Sequence, residues 1–110
     1  MTTTTTSARD TMWAENTRQR RHVLTAELAH ERTSHADYVR NMVAGAYTSA
    51  ELARDHLAED REDRVIGADA ATAILATYAG IIDAERARHA ANVARIEAAI
   101  AHLPGGAPCI

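Results

Sequence analysis

Residues 24–42 read LTAELAHERTSHADYVRNM, and residues 75–103 read LATYAGIIDAERARHAANVARIEAAIAHL. In the first stretch the large apolar side chains fall at Leu24, Leu28, Tyr38 and Met42. In the second they fall at Leu75, Tyr78, Ile82, Val93, Ile96, Ile100 and Leu103. Steps of three and four trace one face of an α-helix, and no segment alternates as a half-buried strand would. The fold class is therefore all-α, with two long helices that each carry one apolar stripe.

Outward from these stretches, the chain supplies its own punctuation. Ser7 with Asp10 resembles a helix cap, and neither Pro nor Gly interrupts the chain before Gly45. A first helix is expected from Ser7 to Val43 or Ala46. Gly45-Ala46-Tyr47-Thr48-Ser49 reads as a break, and Thr48 with Glu51 as a second capping box. That box would open a short helix from Ser49 to Arg64. Gly67 with Asp69 marks another break, and a third helix is expected from Asp69 to His102. Leu103-Pro104-Gly105-Gly106 ends it. The expected architecture is an antiparallel helical hairpin or bundle of two long helices plus one short helix, completed by oligomerisation. Residues 1–6 read as a disordered tail, 7–103 as a single helical domain and 104–110 as a flexible tail.

Each stripe is interrupted by two polar residues. Glu31 and His35 bridge Leu28 to Tyr38, and Glu85 and His89 bridge Ile82 to Val93. Residues four apart lie on one helix face, so each Glu and His point the same way. An antiparallel register that pairs Leu24 with Ile96 and Met42 with Tyr78 sets Glu31 opposite His89 and His35 opposite Glu85. Buried carboxylates are rare unless paired or bound to a metal. Two readings stand side by side. The four groups form hydrogen-bonded pairs that fix register, or two imidazoles and two carboxylates hold zinc, iron or manganese. The second arrangement resembles, in architecture alone, the ferritin-like di-metal bundles. Those take their ligands from facing helices with Glu-x-x-His at i, i+3. Here that spacing occurs at Glu27-Leu28-Ala29-His30, away from the centre of the stripe. His56, between Leu52 and Leu57, is a further candidate ligand or a histidine at the edge of the core.

Composition narrows the function. Hydrophobic residues make up 46% of the 110 positions, but much of that share is alanine, with no Phe and one Trp. Alanine favours helix and adds little to a core, so a homodimer is expected to supply burial that one chain lacks. All 12 basic residues are arginine, which removes Schiff-base and phosphate-loop lysines. The chain has no Gly-x-Ser-x-Gly elbow and one cysteine, Cys109, read as a free thiol near the C-terminus. No catalytic residue can be named.

The net charge of −3 and the single basic cluster, Arg18 to His22, argue against nucleic acid. The charge run 59–64 reads as a solvated face. Trp13 shares the stripe's phase and is expected to plug the bundle end or an oligomer contact. The longest uncharged run, Ala70 to Ile82, is short for a bilayer, and no apolar leader opens the chain, so a cytoplasmic location is expected. The leading expectation is a small non-enzymatic protein that works by binding itself or a protein partner. A metal-binding bundle is the alternative.

Overall fold

The computed structural model describes residues 8–56 and 61–104. It contains two α-helices, α1 (Ala8–His56) and α2 (Arg61–Ala101). No strand occurs among the described residues. The expectations placed on residues 1–7, on the side chains of His56 and of the run 59–64, and on residues 105–110 with Cys109 lie outside the described residues.

The chain divides into two compact units. The first joins Met1–Glu31 to Ala91–Ile110. Leu24 and Ile96 are buried there, Ile96 completely. Arg95 reaches Glu27 at 2.7 Å, and Arg21 donates to the carbonyl of Pro104 at 2.9 Å. Rising numbers on α1 thus meet falling numbers on α2, so the two segments run antiparallel. Leu103 closes the end of α2 by donating to the carbonyl of Ile100 at 3.1 Å.

The second unit is Arg32–Ala90. Its buried apolar positions are Ala46, Ala50, Ala71 and Ile82. Small side chains let the helices approach closely here. At Gly45 an added Cβ would meet the Tyr78 ring at 3.6 Å, an ordinary contact distance. His35 bonded to Glu85, and Gly45 against Tyr78, show the same antiparallel sense.

The expected short helix is absent. Residues 49–56 continue α1 and residues 61–68 already belong to α2, so neither Gly45 nor Gly67 breaks a helix. The cause is tertiary. A glycine inside a helix costs about 1 kcal/mol, which burial of the neighbouring residues offsets. Ala46 and Ala50 follow Gly45 into the interface, and Gly67 is itself buried. The Thr48–Glu51 pattern has no helix start to cap.

Two details of the stripes also differ. Val39 is the more covered of the pair where Tyr38 was expected to point inward; Tyr38 is exposed. Trp13 is 64% exposed and lines an open groove of about 680 Å³ with Val23, Leu103 and Pro104, so among the described residues it does not plug the bundle end. The uncharged run Ala70 to Ile82 lies within Val65–Ala101, a helical stretch long and apolar enough to cross a membrane by length and composition, with mean hydropathy 1.7 in its best window. A wholly uncharged run is a stricter criterion than a bilayer applies.

Candidate functional site

The polar interruptions of the stripes fall in both units. In the second unit His35 and Glu85 meet across the helix pair at 2.7 Å. The Glu85 side chain is 11% exposed. Arg88, one turn along α2, donates to both Glu85 oxygens at 2.7 and 3.0 Å. Arg88 first and His35 second hold the Glu85 carboxyl down to about 2, against the opposing effect of desolvation. An ionised carboxylate only accepts, so His35 donates from Nδ1, which fixes its tautomer.

His89, one turn after Glu85, stacks on His35 with ring centroids 3.8 Å apart and planes 6° from parallel. Stacking covers the ring faces, while the nitrogen lone pairs stay in the ring planes. Those two planes run parallel, so the imidazoles do not aim at one point between them. Among the described residues no group of three or more His, Cys, Asp or Glu is placed to hold a metal ion.

Glu31 belongs to the first unit and is buried, at 7% exposure. Asn92 donates its side-chain amide to Glu31 in a short hydrogen bond. Arg95 in turn donates to Asn92 at 3.0 Å and to Glu27 at 2.7 Å. A chain of polar groups, Glu27, Arg95, Asn92 and Glu31, thus satisfies a carboxylate that would otherwise be costly to bury.

Of the four residues singled out in the sequence, the structure brings His35, Glu85 and His89 together and places Glu31 with Asn92. Asn92, Arg88 and Arg95 were missed. Asn92 carried a legible signal: it continues the spacing Glu85, His89, Asn92, Ile96 and is polar at a stripe position. The arginines carried none, because their long side chains reach the stripe from its margin.

The other singled-out groups sit at the surface. His22, His30 and His102 are exposed, and His102 donates to the carbonyl of Ala98 at 2.6 Å. Arg18 in the basic cluster pairs with Glu15 at 3.1 Å. No family model, curated protein or solved structure matches the chain.

Proposed function

We propose that this chain is a non-enzymatic helical hairpin that works by self-association, its polar residues at stripe positions fixing the register of the helix pair. One observation carries the reading. Among the described residues Ile96 is the one large side chain that is fully buried, whereas ten large apolar side chains are exposed. Scattered exposed apolar residues are ordinary, but this balance is that of a fold that has not finished burying its apolar surface. A second protein surface would cover it. The polar network supports a structural role too, since His35 bonds to Glu85 in one unit and Asn92 to Glu31 in the other. Light scattering on the full chain tests the reading directly. A dimer or higher oligomer at micromolar concentration is expected, and a cooperatively folded monomer at high micromolar concentration would refute it.

Divalent metal binding is the second reading, supported by the meeting of His35, Glu85 and His89 in one unit. It requires the two rings to leave their stack so that a nitrogen of each can face one ion. Elemental analysis of tag-free protein, with thermal unfolding in the presence and absence of chelator, decides it. Stoichiometric zinc, iron or manganese with a chelator-sensitive midpoint supports the metal. Its absence leaves the hydrogen-bonded network as the whole role of these residues.

A further inference from the structure

We infer that the groove beside Trp13 is a docking site for this chain's own residues 105–110, which lie along α1 with Pro108 against the indole. The inference goes beyond the self-association reading and does not depend on it.

In the first unit α1 runs on past the end of its partner. Glu31 meets Asn92, Glu27 meets Arg95 and Arg21 meets Pro104. The helix α2, which ends at Ala101, therefore stops near the level of Arg21, while α1 continues back to Ala8. The face that carries the buried Leu24 continues there through Arg21, Thr17 and Trp13, in steps of three and four. Thr17 turns its hydroxyl to the carbonyl of Trp13 at 3.0 Å, so its polar demand is met inside the helix. Trp13 stands 64% exposed on this face. An inward face thus persists where the helix opposite it has ended.

The occupant follows from where the chain goes next. Pro104 is itself part of the groove wall, with Trp13, Val23 and Leu103. Arg21 holds the Pro104 carbonyl at 2.9 Å, so residues 105–110 depart from the groove itself. The lengths agree. From Arg21 back to Trp13 is about 12 Å along a helix, and from Pro104 on to Pro108 is about 12 Å of extended, polyproline-type chain. Proline fixes its own φ and biases the residue before it towards extended backbone, which favours that form at Ala107-Pro108. The chemistry agrees as well. Arg21 Nε is buried, and among the described residues no acceptor reaches it. An extended segment makes no internal hydrogen bonds, so its carbonyls are open to such a donor. The sequence Gly105-Gly106-Ala107-Pro108-Cys109-Ile110 carries no charged side chain. Aromatic-lined grooves accept proline rings in this form because the segment has little conformational entropy to lose. Tethering decides between this segment and a second copy. A short tether gives an effective concentration on the order of millimolar, above that of a free partner in the micromolar range.

The test reads Trp13, the one tryptophan of the chain, by acrylamide quenching of its fluorescence in the full-length protein. The expected result is an indole that is shielded in the wild type, and equally so at low and high micromolar protein. Pro108→Asp and Ile110→Asp are expected to raise the quenching constant at least twofold. Leu52→Arg, in the other unit, is expected to leave it unchanged. Both aspartate variants alter residues beyond α2, and circular dichroism checks that the helices persist. In NMR, cross-peaks between the Trp13 indole and the Pro108 ring are expected. A wild-type indole quenched as freely as in the urea-unfolded chain overturns the inference. So does shielding that both aspartate variants leave intact, or shielding that grows with protein concentration, which would assign the groove to a second copy. Light scattering decides the self-association reading separately: a monomer with a shielded Trp13 refutes that reading and supports this inference.

Discussion

Glu31 and Glu85 are both covered carboxylates, yet they are satisfied differently. Glu85 is held by two cationic or potentially cationic neighbours, Arg88 and His35. Its folded pKa of about 2 lies below the ordinary 4.5, so the carboxylate contributes stability that is complete above about 4.5. That contribution is lost as pH falls from 4.5 towards about 2. Carbon-detected NMR titration of Glu85 should show the low midpoint, and Arg88→Gln should raise it towards the ordinary carboxylate range. An unchanged midpoint in that variant would mean that His35, not Arg88, is the main cause. Glu31 accepts from the neutral side-chain amide of Asn92. Asn92→Ala removes that donor from a buried acceptor and should cost about 1–3 kcal/mol in denaturant unfolding. Replacing Glu31 and Asn92 together by Leu should recover most of the loss. The pairing of His35 with Glu85 was legible because residues four apart in two antiparallel stripes can meet in only a few registers. Asn92 was legible only as a polar residue at a stripe position; its bond to Glu31 was not, because the expected register set His89 opposite Glu31.

The helices show where local signals lose to packing. Period and composition were enough to give helix, its antiparallel partner and its end near Leu103. They misplaced the breaks because a glycine and a capping-box pattern are cues of about 1 kcal/mol each. Ala46, Ala50 and Ala71 at the interface outweigh them, and burial at those positions depends on a partner helix distant in sequence. Gly80 isolates the local cost. It lies inside α2, and an added Cβ there would meet nothing within 4 Å. Gly80→Ala should therefore stabilise the chain by about 0.4–1 kcal/mol, through the lower backbone entropy of the unfolded state. Thermal unfolding at fixed protein concentration reads it. A destabilised variant would mean that Gly80 meets a neighbour outside this chain.

For the whole molecule, the quantity that separates a finished fold from an unfinished one is the dependence of stability on concentration. A monomer unfolds at a midpoint independent of how much protein is present. A chain that completes its burial in a dimer gains stability by mass action, because only the folded state has the second copy to bind. Each tenfold rise in concentration then adds about 1.4 kcal/mol per mole of dimer at equilibrium. The exposed Leu52, Ile66 and Ile81 make this the expected behaviour. Sulfate strengthens apolar burial. Chemical unfolding from about 1 to 100 µM should thus show a midpoint that climbs with concentration. At fixed concentration, sulfate should raise that midpoint. Leu52→Arg should flatten the concentration dependence while leaving a helical chain. A midpoint that stays level for the wild type would locate all of the stability within one chain, and the exposed apolar side chains would then need a different partner to explain them.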